Sequence, residues 1–292
     1  MRYAVLHGPR SGRGGAAAVG RRVMAALSAT SAEVSGLSAS SAEAARGVAG
    51  EAVADGADVL VVVGGDGLVA LAADACAGTP TALGIVPAGS GNDTARSLDI
   101  PMKAQDAVGT LLTGQRRRID LIAADPPGRL VVGSVPAALD ARIADRSSRM
   151  SSALGPARYA AATLAEVPRL GAQPYRLDVD GALWETEALV VAVCNLPVFG
   201  GGMRIAPDAD PRDGLLDLVV ITPVGPTQAL RLLAAVFRGR HTRHPAVHVR
   251  RGSVMRIEGP DLTAFGDGEP LAPLPLTCRV RPAALEVLVP RR

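Results

Sequence analysis

Between residues 3 and 113, apolar runs of five or six residues alternate with longer stretches repeating at helical spacing. Residues 3–7, 32–37, 58–63 and 82–86 read as strands. Residues 16–29, 43–54, 68–77, 94–98 and 105–113 read as helices. Near-continuous Val/Leu/Ile strands separated by helices predict a parallel sheet covered on both faces. After Asp120 the texture changes. Short β-like runs at 130–135, 175–179, 188–194, 215–221, 247–249 and 254–257 are punctuated by Gly, Pro and Asp. Helical spacing recurs only at 159–167 and 227–237. A mostly β second half predicts a sandwich-like domain. The expected class is therefore α/β followed by a β-sandwich-like domain, with a boundary near ADPPGR: 1–122, then 123–283.

Composition narrows the chemistry. The chain has 292 residues, 48% of them hydrophobic but only 2% aromatic, so its core rests on Ala, Val and Leu. Lys103 is the only lysine, which leaves little room for lysine catalysis. A net charge of +3 suits a phosphate-bearing substrate or an anionic surface without requiring either. Cys76, Cys194 and Cys278 are isolated and have no metal-ligand spacing, as expected in a reducing compartment. His241 and His244 lack a third ligand and read as surface histidines. The opening RYAVLHG reads as a strand rather than a leader, and no apolar run reaches the roughly 20 residues of a membrane span. The expectation is a soluble, cytoplasmic protein with peripheral membrane contact left open.

Three predicted strands run into glycine turns that open helices: Gly8–Gly15, Gly64–Gly67 and Pro87–Asn92. A helix N-terminus offers unpaired N–H groups and a positive dipole end, and glycine allows close approach of an anion. In a parallel sheet these turns share the carboxyl edge, where ligands bind. Neither a P-loop nor a GxGxxG fingerprint is present. Asp66, set among glycines, would repel phosphate unless a cation or proton intervenes; the plainer alternative is a helix N-cap. Near the end, Asp267 and Glu269 lie two apart, so an extended segment would aim both carboxylates one way; DGE is also a common turn. PDADPRDGLLDL is no EF-hand, because its aspartates break the alternate spacing.

The segments VVVGGDGLVALAADA, LGIVPAGSGNDTARSLDIP, NLPVFGGGMRIAPDADPRDGLLDLVVI and FGDGEPL, in this order, resemble the diacylglycerol kinase catalytic family. The likeness is strongest to its soluble bacterial lipid-kinase branch, related to sphingosine kinases and distantly to NAD kinases. It implies an ATP-binding α/β domain, a β-sandwich, catalysis in a cleft between them, and a C-terminal segment 284–292 returning to the first domain. Carried over by motif, the ATP contacts are Gly8, Pro9, Arg10, Ser11, Gly12, Ser38, Gly64, Gly65, Asp66, Gly67, Leu68, Val69 and Ser90 with Gly91, Asn92 and Asp93. Asp267 is the implied base, with Glu269 beside it, and Asp66 organises Mg²⁺. A structural Mg²⁺ is implied at Asp213 and at the carbonyls of Asp210 and Leu215; the plainer alternative there is a hairpin turn. The implied reaction is phosphorylation of diacylglycerol. A sphingoid-base or NAD kinase, or a silent nucleotide-binding regulator, stands as the alternative.

Three departures bear on this. Gly8 precedes Pro9 where the family has Asn, Leu68 follows GGDG where it has Thr, and Ser90 replaces Thr with the hydroxyl kept. Two polar contacts near the nucleotide are lost, and backbone N–H groups would have to carry the phosphates. The arginine-rich segment 238–256 invites docking to anionic lipid, against the plainer reading of a solvated strand pair. Nucleic acid is not expected, because no aromatic platform accompanies the arginines. A homodimer is left open.

Overall fold

A computed structural model describes residues 1–8, 15–137, 162 and 171–291. The chain divides into two compact units, Met1–Ile119 with Ala283–Arg292, and Asp120–Pro282.

In the first unit, β1 (Arg2–His7), β2 (Glu33–Ser38), β3 (Val59–Gly64) and β4 (Ala82–Pro87) form a parallel sheet in the order β2-β1-β3-β4. The end of the long strand β16 (Leu276–Val289) adds in parallel to β4, with Val287 opposite Leu83. The helices are α1 (Gly15–Ser28), α2 (Ala42–Ala54), α3 (Asp66–Cys76), the short α4 (Asp93–Ser97) and α5 (Ala104–Thr113). Helix α1 packs on α5, and α2 on α3. Every residue of β3 and β4 is buried, which explains their unbroken apolar sequence. Burying each Val or Leu side chain is worth about 1.5–3 kcal/mol. In the strand β5 (Gln115–Asp125), Arg116 and Arg118 both pair with Glu286 of β16, at 3.0 and 3.1 Å. The arginines at the start of β5 hid a strand that the periodicity did not reveal.

The second unit is antiparallel. One sheet runs β12-β11-β10-β7-β14-β15, where β7 is Ser134–Ala137, β10 Val190–Cys194, β11 Leu216–Ile221, β12 Val247–Gly252, β14 Thr263–Gly266 and β15 Glu269–Pro273. Facing it across the core are β8 (Gln173–Val179), β9 (Ala182–Ala188) and β13 (Val254–Glu258), with the first half of β16. A small strand β6 (Arg129–Val131) forms a hairpin with β5. Tyr175, Leu177 and Val179 alternate inward to meet Leu216, Leu218 and Val220. The other face of β11 is covered by α6 (Pro226–Val236), whose Leu232 and Val236 pack with Val219. Burial on both faces is why LDLVVI is almost wholly apolar. The helix predicted at 159–167 lies outside the described residues, Ala162 apart.

Candidate functional site

The parallel register of the first unit places the predicted turns at one sheet edge. His7 lies opposite Ser38 and Val63, and Gly64 opposite Pro87, so Gly8, Ser38, Gly64 and Pro87 end neighbouring strands together. Pro9, Arg10, Ser11 and Gly12 of the first loop lie outside the described residues. Gly65 caps α3 with no side-chain bond, while Leu68 and Val69 donate back to its carbonyl at 3.0 and 3.1 Å. The N–H groups of Asp66 and Gly67 have no acceptor among the described residues. A Cβ built on Gly67 meets nothing within 4 Å, so this helix start opens onto free space. Such an opening is the arrangement that receives phosphate.

The second glycine turn packs directly against the first. A Cβ on Gly89 would lie 2.4 Å from the Gly65 Cα, so only glycine permits these backbones to meet. Asn92 sits at φ 56 and folds its amide over the turn: Oδ1 accepts from the Gly89 N–H and Nδ2 donates to the Gly89 carbonyl, both at 2.9 Å. Ser90 is exposed at the tip, and Asp93 is buried at the first position of α4.

Asp66 caps a helix, but not its own. Its Oδ1 accepts the Thr94 N–H at 3.1 Å, in the first turn of α4 and 28 positions along the chain. Asp66 thereby ties the two glycine turns together. Its Oδ2 makes no hydrogen bond among the described residues.

In the second unit, Asp267 begins the turn between β14 and β15. Its φ of 50 and the φ of 87 at Gly268 make an Asp-Gly hairpin turn. Asp267 Oδ2 accepts the Val132 N–H at 2.7 Å and Oδ1 the Gly133 N–H at 2.8 Å. The extended-segment expectation for Asp267 and Glu269 is thus corrected. Two left-handed residues interrupt the alternation, and Glu269 is exposed as the first residue of β15.

Residues 2–124 match the description "Diacylglycerol kinase catalytic domain", and 133–289 match "YegS C-terminal NAD kinase beta sandwich-like domain". A relative named diacylglycerol kinase, from Mycobacterium tuberculosis (strain ATCC 25618 / H37Rv), is 37% identical over 295 residues, covering 98% of this chain and 94% of its own. The chain belongs to the diacylglycerol kinase family. It is a lipid kinase. A "Probable lipid kinase YegS-like" protein from Pectobacterium atrosepticum is 33% identical over 247 residues, 82% of this chain and 81% of its own. A solved diacylglycerol kinase structure from Bacillus anthracis str. Sterne has the same fold, with a TM-score of 0.78 at 18% identity over 99% of this chain and 96% of that one.

In this kinase the loop expected to hold a structural metal is satisfied by the protein's own groups. The Asp210 carbonyl accepts from the Arg212 and Asp213 N–H groups at 2.7 and 3.4 Å. Its carboxylate forms a bidentate pair with Arg212 at 2.7 Å. Asp213 Oδ1 accepts the Leu215 N–H at 3.0 Å, and Oδ2 pairs with the Arg251 guanidinium. Arg251 Nε also lies 3.5 Å from buried Asp217. Burial pushes the Asp217 carboxyl up to about 6, with Arg251 pulling it down and Asp213 and Asp208 raising it. Among the described residues no cluster of three His, Cys, Asp or Glu side chains could hold a metal. Asp213 and the Asp210 carbonyl, two members of the implied set with the Leu215 carbonyl, are here engaged by the protein's own groups, with Arg251 supplying positive charge beside Asp213.

Sequence reasoning passed over three groups of the kinase. Asn195 is buried and donates to the carbonyls of Asp120 and Val132, both at 2.8 Å, while its Oδ1 is buried without a partner. The Gly133 carbonyl receives the Asn195 and Leu196 N–H groups, so one short segment holds both Asn195 and Asp267. An asparagine directly after the apolar run VVAVC was the available signal. Arg251, the fifth residue of β12, gave none beyond its place in the arginine-rich segment 238–256. His241 corrects the surface-histidine expectation: it is 1% exposed and bonds the Ile205 carbonyl through Nε2 at 2.9 Å. All three cysteines are buried, and desolvation raises each thiol, Cys76 and Cys278 to about 12, so none is poised as a nucleophile.

Proposed function

We propose that this lipid kinase transfers the γ-phosphoryl group of ATP to the hydroxyl of diacylglycerol, giving phosphatidic acid at a bilayer surface. The observation that carries the reading is the open start of α3, with its two N–H groups lacking acceptors beside a carboxylate oxygen that receives no donor among the described residues. The N–H groups of Asp66 and Gly67 would receive phosphate oxygens, with Gly64, Gly65, Leu68 and Val69 shaping the turn. Ser38, Gly8, Ser90 and Gly91 surround it at the strand ends, and Asn92 and Asp93 hold the second turn in shape. Backbone donors need neither the Asn nor the Thr that Gly8 and Leu68 replace.

The donor set also fits Mg²⁺: Asp66 Oδ2 is a hard oxygen with no competing partner, and its other oxygen is fixed by Thr94. When bound there, the ion would neutralise phosphate charge, which is the main catalytic need in phosphoryl transfer. Asp267 acts as base. The acceptor oxygen bonds to the γ-phosphorus as the bond to the β–γ bridging oxygen breaks, ADP departs, and the hydroxyl proton passes to Asp267. The two N–H bonds from Val132 and Gly133 fix the orientation of that carboxylate. Glu269, exposed alongside, contributes charge rather than proton transfer.

The test is transfer from γ-labelled ATP with Mg²⁺ to diacylglycerol in mixed micelles, with sphingosine and NAD in parallel. Label in phosphatidic acid alone is expected. Label only in another acceptor moves the substrate assignment, and no transfer to any acceptor sinks the reading. Asp267→Asn is expected to reduce turnover by about 10²–10⁴-fold; wild-type turnover under conditions where chemistry limits the rate would remove Asp267 as base.

A further inference from the structure

Residues 218–257 contain seven arginines and no acidic residue. In the fold, α6 turns part of that run into a two-sided surface. Its inward face packs Leu232 and Val236 into the apolar cluster beside β10 and β11. Its outward face carries Leu230, Ala234 and Phe237 at the i, i+4, i+7 spacing of one helical stripe, with Leu230 54% and Phe237 40% exposed. Arg231 and Arg238 each follow one of these apolar residues and are exposed beside them. Arg240 and Arg243, just past the helix, are exposed as well.

None of these four guanidinium groups has an ion-pair or hydrogen-bond partner among the described residues. Elsewhere in the same unit, Arg176, Arg212, Arg251 and Arg256 face Glu185, Asp210, Asp213 and Glu258. Four unpaired guanidinium groups thus lie where large apolar side chains are also left in water. A second copy of the chain meeting this face across a twofold axis would set arginines against arginines. A polyanion such as nucleic acid would use the arginines but leave Leu230 and Phe237 wet. A surface that is anionic outside and apolar beneath satisfies both halves of the stripe.

We propose that the outward face of α6 docks on an anionic lipid bilayer, with Leu230 and Phe237 entering the acyl boundary and Arg231, Arg238, Arg240 and Arg243 meeting headgroup phosphates. This deepens the lipid-kinase reading, since an acceptor with two acyl chains stays in the bilayer. The docking itself depends on no catalytic residue.

Sedimentation of the full chain with vesicles tests it. Binding is expected to vesicles of phosphatidylcholine with about one third phosphatidylglycerol, to weaken with added salt, and to be absent on phosphatidylcholine alone. Each arginine removed near an anionic surface is expected to lower affinity about fivefold, so Arg231→Gln with Arg238→Gln costs about 30-fold. Leu230→Ala with Phe237→Ala is expected to cost about tenfold or more. The same variants are expected to keep wild-type transfer to diacylglycerol in detergent micelles, where no bilayer must be found. Variant binding equal to wild type, binding indifferent to phosphatidylglycerol, or no vesicle binding at all would each overturn the proposal. Absent micelle activity in the wild type, with vesicle binding intact, would instead count against the kinase reading alone.

Discussion

Asp66 does two things that one pair of substitutions separates. Its Oδ1 receives the N–H of Thr94, a residue only 7% exposed, and its Oδ2 is the oxygen that the proposed function assigns to Mg²⁺. In Asp66→Ala the buried Thr94 N–H loses its acceptor, and an unsatisfied buried donor costs about 1–3 kcal/mol. With about 2 kcal/mol as the central value, the melting temperature is expected to fall by roughly 4–8 °C for a protein of this size. Asp66→Asn keeps an oxygen in the same place, loses only the charge assistance to that bond, and is expected to melt within about 2 °C of wild type. Turnover behaves differently: a neutral amide is a poor Mg²⁺ ligand, so both variants are expected to lose about 10²-fold or more in labelled-phosphate transfer. Thermal melting and transfer assays on the same preparations read the two effects apart. An unchanged melting temperature in Asp66→Ala would refute the cap between the two glycine turns. Wild-type turnover in Asp66→Asn would refute the metal assignment.

Gly89→Ala is expected to cost about 1–3 kcal/mol by urea denaturation and to weaken ATP binding, because its Cβ falls 2.4 Å from Gly65 Cα and 2.9 Å from Asn92 Oδ1. Removing divalent ions with EDTA is expected to leave the wild-type melting temperature unchanged, since Arg251 already neutralises Asp213 and Asp217. Arg251→Gln is expected to destabilise by about 1–3 kcal/mol, less than for a fully buried pair because Arg251 is partly exposed; an EDTA-sensitive wild type would refute this. Burial lowers the His241 pKa from 6.5, with the Ile205 carbonyl opposing, so the folded state binds this proton less readily than the unfolded chain. Its contribution is therefore intact above about pH 6.5 and is lost as pH falls below that value. His241→Gln is expected to flatten the decline in melting temperature between pH 7 and 5, and an unchanged profile would remove His241 as its source.

The parallel sheet was legible because burial on both faces forces unbroken apolar runs such as VLVVV, and glycine turns mark the strand ends. The shared edge that gathers Gly8, Ser38 and Gly64 follows from parallel direction alone. The partners of the acidic residues were not legible. Thr94 meets Asp66 from 28 residues away, Val132 and Gly133 meet Asp267 from 135 and 134, and Arg251 meets Asp213 from 38. No local spacing encodes such pairings. The strand β5 was missed because arginines at its start answer Glu286, near the opposite end of the chain. The Asp267–Glu269 alternation failed for a local reason that the sequence did contain, since Asp-Gly between two short strands is a hairpin signal.

The last strand has a consequence for how the protein is made. Its residues up to Pro282 belong to the second unit and those from Ala283 to the first, where Val287 joins Leu83, the Ala284 carbonyl accepts the Gly78 N–H and Glu286 holds two arginines. A ribosome therefore releases the whole of the second unit before the sheet begun at Arg2 can receive the end of β16. Of the two units, the one begun first is completed second, and loss of residues 283–289 would damage the sheet begun at Arg2 rather than the unit that precedes them in the chain.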